Sequence, residues 1–161
     1  MKELMLVRHG KSSWDYDVSD RDRPLKERGI SDAHLVADAL ARGFTPPDAV
    51  FSSPANRALH TCMILVRELN IPLKRVEVTE SLYDFGGKGL RDFVHSLEDP
   101  LQRVMLFGHN HAMTHTANAW GNRHIENVPT AGFVHLEFES VPWREVHYGK
   151  TRRLLFPKEL K

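Results

Sequence analysis

Short apolar runs alternate with stretches of helical spacing along most of this chain. Three runs, at residues 4–7, 48–51 and 104–107, stop at polar or glycine residues, as buried strands do where they reach a loop. Between them, apolar residues recur every three or four positions, which predicts helices over about 26–42, from 53 onward, over 90–97 and over 112–120. Gly43 stands where the first helix would end, and Ser53 and Pro54 are predicted as the N-cap and first residue of the second.

The pattern changes after Pro129, where apolar positions recur every second residue. Residues 134–138 therefore predict a half-exposed strand, with which 145–148 would pair antiparallel. Residues 76–78 give a weaker strand, and the glycine-rich 86–89 predict a mobile loop. This alternation of strands and helices predicts an α/β fold, a three-layer α/β/α sandwich with a mostly parallel central sheet and antiparallel late strands, as one domain over 1–161.

Composition excludes several classes of function. The 161 residues are 41% hydrophobic, enough for a core, and 22 Lys and Arg against 21 Asp and Glu give a net charge of +1. We therefore expect neither nucleic acid nor a membrane as a partner, and no run is apolar enough for a signal peptide or a transmembrane span. The single cysteine, Cys62, lies on an apolar helix face as a core residue and fits a reducing compartment, so we expect a cytoplasmic protein.

Side chains that can bind an anion follow each of the three apolar runs. Arg8 and His9 follow the first, Arg57 the second and His109 the third. Because ligands of open parallel sheets bind at the carboxyl ends of the strands, we expect these residues to meet in one crevice. Guanidinium groups match phosphate oxygens, a neutral imidazole can act as a nucleophile, and a second, protonated imidazole would stabilise charge on a transferring phosphoryl group. Gly10 would allow close approach of the backbone.

These residues lie in recognisable motifs. Leu-Val-Arg-His-Gly at 6–10, Ser-Ser-Pro-Ala-Asn-Arg-Ala at 52–58 and Phe-Gly-His-Asn at 107–110 resemble, in this order, three signatures of the histidine phosphatase superfamily, which includes phosphoglycerate mutases and acid phosphatases. Residues 22–25 with 28–29, 80–83 and 155–160 resemble its short, SixA-type phosphohistidine phosphatases. The resemblance covers nearly the whole chain.

The resemblance implies a role for each matching residue. His9 would be the nucleophile that forms a phosphohistidine intermediate, and Arg8, Arg57 and His109 would bind the phosphoryl group. Arg23 would be an additional phosphate contact.

The same resemblance implies a general acid in some members of the family. Asp84 matches the position of a carboxylate that protonates alkoxide leaving groups, and Glu80 is the alternative. If the substrate is phosphohistidine, its imidazole leaving group is far less basic than an alkoxide, so an acid would contribute less.

Other clusters point to simpler structural roles. His111 and His115 share a helix face while His109 is assigned to the phosphate pocket, so no metal site is predicted. Residues 86–89 lack the spacing of a nucleotide-binding P-loop. Four aspartates, at positions 15, 17, 20 and 22, lack the pattern of a calcium loop.

Taken together, the sequence predicts a metal-independent phosphatase without a cofactor. Phosphohistidine on a protein is the favoured substrate, because no large insertion between 10 and 54 or between 84 and 104 would enclose a small phosphorylated substrate. A general phosphomonoesterase or a phosphomutase of the same fold is the alternative enzyme. A phosphate-binding module without turnover is the alternative outside enzymes.

Overall fold

The structure, a computed structural model, describes residues 1–161 and contains one six-stranded sheet with helices on both faces. The strands are β1 (Lys2–Arg8), β2 (Ala49–Ser52), β3 (Val76–Val78), β4 (Arg103–Gly108), β5 (Phe133–Phe138) and β6 (Lys150–Leu155). The helices are α1 (Glu27–Ala41), α2 (Asn56–Glu68), α3 (Lys88–His95), α4 (Ala112–Trp120) and the short α5 (Pro157–Leu160). No helix is long and apolar enough to cross a membrane.

The order of the strands brings three strand ends together. The sheet runs β3-β2-β4-β1-β5-β6, so β4 lies between β1 and β2 and is parallel to both. Arg8 pairs with Gly108, and Ser52 pairs with Phe107, so the three strands end at the same level. β5 is antiparallel to β1 and to β6. The predicted α/β class, with a mostly parallel centre and antiparallel late strands, is confirmed.

Each face of the sheet carries its own hydrophobic core, and the central strands contribute to both. Leu4 and Leu6 of β1 pack into the cluster that includes residues of α3 and α4, while Met5 and Val7 pack into the cluster with α1 and α2. A strand buried on both faces needs apolar residues at successive positions, which explains the unbroken apolar run at 4–7.

Two glycines allow the first turn of α1 to approach the turn that follows β1. A Cβ atom on Gly10 would lie 2.7 Å from the carbonyl oxygen of Gly29, and one on Gly29 would lie 2.8 Å from the backbone nitrogen of Lys11. Side-chain carbons do not come that close to backbone atoms. Gly10 therefore leaves room for α1, and close approach of its backbone to a phosphoryl group stays a prediction.

Several predicted boundaries are wrong. The last strand is β6 at Lys150–Leu155, whereas part of the predicted 145–148 segment lies in the 3₁₀ turn Trp143–Glu145. α3 begins at Lys88, so half of the predicted glycine-rich loop is helical. The first helix is as expected, and Gly43 after it has a left-handed φ of 69°.

The prediction for the start of the second helix is also wrong. α2 begins at Asn56 after Ala55, with no side-chain cap. The Ser53 hydroxyl does accept a hydrogen bond from the backbone N–H of Ala55, but it also bonds to His109. Ser53 is therefore part of the cluster at the strand ends rather than an N-cap.

We expect Gly29→Ala to lower the free energy of unfolding by about 1–3 kcal/mol, because the added methyl group must push α1 away from the 10–11 turn. Urea unfolding of wild type and variant would measure this. Gly86→Ala is the matched control, because nothing lies within 4 Å of its Cβ position, and we expect a change of at most about 0.5 kcal/mol. An equal loss in both variants would contradict the close-packing argument.

Candidate active site

The His9 side chain lies immediately after β1, and its two ring nitrogens have different neighbours. Nδ1 is 2.7 Å from the carbonyl oxygen of Gly10, and Nε2 is 3.4 Å from Nε of Arg57. A carbonyl only accepts and a guanidinium only donates, so Nδ1 carries the ring proton and Nε2 presents a lone pair. The residue is 8% exposed. His9 is therefore held as a neutral imidazole with one defined nucleophilic atom.

Arg57 is positioned by the first turn of α2, which is tied to the turn after β1. The hydroxyl of Thr61 donates to the carbonyl of Arg57, 2.8 Å away, and accepts from the N–H of Gly10, 2.9 Å away. Arg57 itself is 2% exposed. One threonine thus holds the backbone of the His9–Gly10 turn and that of Arg57 together.

His109 follows β4 and lies beside His9, with 5.2 Å between the ring centroids. Its Nε2 is 2.8 Å from the hydroxyl oxygen of Ser53, and the rings of Tyr83 and Phe85 pack against it. Nδ1 of His109 is buried and has no hydrogen-bond partner. The same is true of Nε of Arg8, whose Nη1 donates to the carbonyl of Val128 at 2.8 Å.

Burial determines the protonation states of this cluster. Desolvation, together with the neighbouring positive charges, lowers the pKa of His9 from 6.5 to about 3. Burial and then the charge of Arg57 lower the pKa of His109 from 6.5 to about 4. Burial also lowers the pKa of Arg8. Near neutral pH both imidazoles of the unliganded protein are therefore uncharged, and a protonated His109 during phosphoryl transfer stays a prediction.

The four residues together form a candidate site for an anion beside a candidate nucleophile. Arg8 and Arg57 supply fixed positive charge, and their guanidinium groups can donate to the oxygens of a phosphoryl group. The lone pair of His9 can attack an electrophilic atom that these arginines hold.

The sequence of the chain matches a known family. A family model described as "Histidine phosphatase superfamily (branch 1)" matches residues 4–87, more than half of the chain. The chain belongs to the histidine phosphatase superfamily.

The chain is similar over nearly its full length to a solved structure named as the phosphohistidine phosphatase SixA from Agrobacterium tumefaciens. Identity is 25%, the TM-score is 0.80, and the match covers 96% of this chain and 97% of that one. An uncharacterised Mycobacterium tuberculosis protein is 27% identical over 153 residues, 89% of this chain and 93% of its own. A 2,3-bisphosphoglycerate-dependent phosphoglycerate mutase from Methylobacterium radiotolerans is 35% identical over only 71 residues, 42% of this chain and 34% of the mutase.

Both carboxylates considered as a general acid have other partners in this structure. The oxygens of Asp84 accept hydrogen bonds from the N–H groups of Gly86, Gly87 and Leu90, around the first turn of α3. Glu80 is exposed and forms a two-pronged ion pair with Arg21. Neither bonds to the histidines of the site, so a proton-donating role for Asp84 or Glu80 stays a prediction that this geometry does not favour.

Asp20 is the site residue that the sequence interpretation missed. Arg23, predicted as a phosphate contact, donates from Nη1 to Asp20 Oδ1 at 3.3 Å, and Arg57 donates from Nη2 to Asp20 Oδ2 at 3.0 Å. The hydroxyl of Tyr83 also donates to Oδ2. The signal in the sequence is the position of Asp20 three residues before Arg23, but the pattern of four aspartates in this loop does not distinguish Asp20 from the other three. For Ser53 the sequence predicts only an N-cap, and for Thr61 it predicts no role.

The remaining histidines and the cysteine are separate from this cluster. His115 contacts the carbonyl of Gly86, and no group of three or more His, Cys, Asp or Glu side chains is placed to hold a metal ion. Cys62 is buried, and burial raises the pKa of its thiol to about 12. A protonated, buried thiol is a packing residue rather than a nucleophile.

We expect the imidazoles of His9 and His109 to remain neutral between about pH 8 and about pH 5, because burial disfavours their charged forms. NMR titration of the histidine ring nitrogens would measure this, with free histidine as the reference. By linkage, the free energy of unfolding should fall as the pH drops below 6.5, since the unfolded chain takes up protons that these two folded side chains do not. Titration of either ring near 6.5 would contradict the burial argument.

Proposed function

We propose that this protein is a phosphatase that hydrolyses phosphoryl groups, favouring phosphohistidine on a protein, through a covalent phosphohistidine intermediate on His9. The observation that carries the proposal is the tautomer of His9. Nδ1 keeps its proton against the Gly10 carbonyl, while the lone pair of Nε2 faces the Arg57 guanidinium. An anionic phosphoryl group bound by Arg57 would therefore lie within reach of that lone pair.

The first step transfers the phosphoryl group to His9. The Nε2 lone pair attacks phosphorus in line, the bond from phosphorus to the substrate nitrogen breaks, and its electron pair stays on the leaving ring. When the other nitrogen of the substrate ring is protonated, that ring leaves as neutral imidazole. No acid on the protein has to donate a proton, which agrees with the engagement of Asp84 and Glu80 elsewhere.

The second step releases phosphate from His9. Because the Gly10 carbonyl holds the Nδ1 proton, phosphorylated His9 is a cationic ring. Water attacks phosphorus, the bond to Nε2 breaks, and His9 returns as neutral imidazole while the proton from water passes to solvent or to the released phosphate. The hydrogen bond to Gly10 thus makes His9 a good leaving group as well as a nucleophile of defined direction.

Arg8, Arg57 and His109 would stabilise the phosphoryl oxygens during both steps. The unpaired Nε of Arg8 and Nδ1 of His109 are buried polar atoms of the kind that a bound anion would satisfy. A phosphoryl dianion beside His109 raises the pKa of this ring, because the opposite charge favours the imidazolium form. Binding would therefore be coupled to proton uptake at His109, which supplies the protonated second histidine that the chemistry uses.

The surroundings of the site favour a protein substrate. Four large apolar side chains on the two segments that carry Asp20 and Tyr83 are exposed: Trp14, Tyr16, Val18 and Phe85, at 75%, 62%, 46% and 43%. Trp14 stacks on Arg23, 3.3 Å from the guanidinium carbon to the ring centroid, and Phe85 packs on His109. Tyr16 and Val18 belong to the loop that joins Trp14 to Asp20. Exposed aromatic side chains beside a catalytic group are typical of protein recognition.

We expect His9→Ala to reduce phosphate release from a phosphohistidine protein by more than about 1,000-fold, because the nucleophile is lost. The assay would include a chelator. It would also measure phosphate release from phosphoramidate, a small phosphoryl donor, and from a sugar phosphate. His124→Ala, an exposed histidine, is the matched control and should keep wild-type activity. Brief reaction of wild type with ³²P-labelled substrate should leave an alkali-stable, acid-labile label that His9→Ala lacks.

Other outcomes of this experiment would identify the alternatives. Full activity in His9→Ala, or activity that a chelator abolishes, would reject the mechanism. Transfer of label between phosphoglycerates would indicate a mutase, the activity named for the partial relative from Methylobacterium radiotolerans. Phosphate binding without release from any substrate would indicate a binding module.

We expect Tyr16→Ala to raise KM for the phosphohistidine protein about 3- to 10-fold, while kinetics with phosphoramidate stay unchanged. The reason is that only a protein substrate is large enough to contact the exposed side chains of Trp14, Tyr16, Val18 and Phe85. Steady-state kinetics with both substrates would measure the effect. Tyr148→Ala is the matched control, since Tyr148 is 82% exposed and lies next to β6. Equal effects on both substrates would argue against recognition of a protein by these exposed side chains.

A further inference from the structure

The Asp20 carboxylate lies between two arginines of the proposed phosphate pocket. Oδ2 accepts from Nη2 of Arg57 at 3.0 Å, and Oδ1 accepts from Nη1 of Arg23 at 3.3 Å. The backbone carbonyl of Asp20 accepts from Nη1 of Arg57. Each of the three nitrogens of Arg57 therefore already has an acceptor, two supplied by Asp20 and one by His9.

A carboxylate resembles a phosphoryl group in the respect that matters to a guanidinium. Both present two oxygens at a spacing that accepts paired N–H donors. A phosphoryl group that reaches Nε2 of His9 must accept hydrogen bonds from Arg57. The Arg57 side chain already donates hydrogen bonds to Asp20. Substrate phosphoryl, product phosphate and the Asp20 carboxylate therefore compete for Arg57 and Arg23.

Asp20 is placed so that a phosphoryl group could displace its carboxylate from the two arginines. Arg57 and Arg23 are almost completely buried, with side chains 3% and 9% exposed, whereas the Asp20 side chain is 43% exposed. It lies on the short 3₁₀ turn Asp20–Asp22, in the loop before α1. The arginines are thus fixed, and the carboxylate between them is the exchangeable partner.

Contacts on the outer side keep Asp20 nearby. Tyr83 donates its hydroxyl to Oδ2, and Arg21 lies over the Tyr83 ring, 4.3 Å from guanidinium carbon to centroid, while pairing with Glu80. Although burial acts to raise the pKa of Asp20, hydrogen bonds from Tyr83 and Arg57 lower it to about 2. The competing group is therefore an anion near neutral pH.

We propose that Asp20 is an internal competitor for the phosphoryl group, which weakens the binding of inorganic phosphate and so promotes release of the product. The inference rests on the proposed function, because it assumes that the phosphoryl group binds at Arg57. A pocket containing three arginines would otherwise hold its dianionic product tightly. Asp20 neutralises part of that charge and supplies acceptors for the arginines when phosphate leaves.

A positioning role for Asp20 predicts the opposite result. If Asp20 mainly orients Arg57 toward His9, its removal would misplace the guanidinium group and weaken phosphate binding. If Asp20 competes, its removal frees donors and strengthens phosphate binding. The sign of the change in affinity separates the two roles.

The test is isothermal titration calorimetry with inorganic phosphate on wild type, Asp20→Asn and Asp20→Ala. We expect Kd to fall about 5- to 50-fold in both variants, since one removes the charge and the other also removes the side-chain acceptors. Tyr83→Phe, which releases Asp20 on its outer side, should give a smaller decrease. KM and the inhibition constant for phosphate should fall by a similar factor.

Asp22→Asn is the matched control. It removes one negative charge from the same turn, but Asp22 bonds to the hydroxyl of Ser19 and contacts neither arginine. We expect its Kd for phosphate to change less than about twofold, because the Asp22 carboxylate is exposed and screened and pairs with neither arginine. An equal decrease in Asp22→Asn would show a general charge effect and overturn the proposal, as would an unchanged or increased Kd in the two Asp20 variants.

The binding measurement is independent of turnover. If wild type releases phosphate from none of the substrates, the proposed function fails, while the comparison of phosphate affinities still decides the role of Asp20. If turnover depends on His9 but the Asp20 variants bind phosphate no more tightly, only the competition is overturned. Circular dichroism on each variant would confirm that the fold is intact.

Discussion

The contact between Nε of Arg57 and Nε2 of His9 is the interaction on which the rest of the site depends. It requires a neutral His9 with its proton on Nδ1, and therefore requires the Gly10 carbonyl at 2.7 Å from that atom. Thr61 forms hydrogen bonds with both Gly10 and Arg57. Because glycine has no Cβ, Gly29 allows α1 to pack against the same turn. Parts of β1, α1 and α2 are thus arranged around one imidazole.

Desolvation is what makes this contact chemically useful. Near pH 7 an exposed imidazole would carry a partial positive charge and repel both arginines. In the interior, the pKa of His9 falls to about 3 and that of His109 to about 4, so the permanent charges are those of the arginines. In the proposed mechanism, charge on His109 would then be a consequence of anion binding. This coupling between binding and protonation is available only because the ring is buried without a partner for Nδ1.

Arg57 and Arg23 illustrate how a buried positive charge is accommodated in the absence of substrate. Guanidinium groups excluded from water need acceptors, and Asp20 supplies them to Arg57 and Arg23 at once. Because Asp20 is itself half-exposed, this pairing costs less to break than a fully buried ion pair. Stability of the unliganded pocket and ease of exchange therefore come from the same carboxylate.

Much of the fold could be predicted because its signals are local. The apolar runs at 4–7 and 104–107 predicted central strands, since a strand buried on both faces needs consecutive apolar residues. The last strand was misplaced because β6 alternates charged and apolar residues irregularly, with burial only at Thr151 and Leu155. The start of α2 was misplaced because Ser53 has two competing uses, and its preference as an N-cap could not reveal the bond to His109.

The sequence by itself determined which chemical groups lie at the strand ends: Arg8, His9, Arg57 and His109 could be assigned to one edge because parallel strands end together. Only the tertiary structure decided the protonation state and the hydrogen-bond partners of those groups. The tautomer of His9, the neutrality of His109 and the pairing of Asp20 with Arg57 and Arg23 depend on burial and on contacts between residues tens of positions apart. Desolvation and hydrogen-bond geometry are properties of a packed environment, so local patterns along a chain do not encode them.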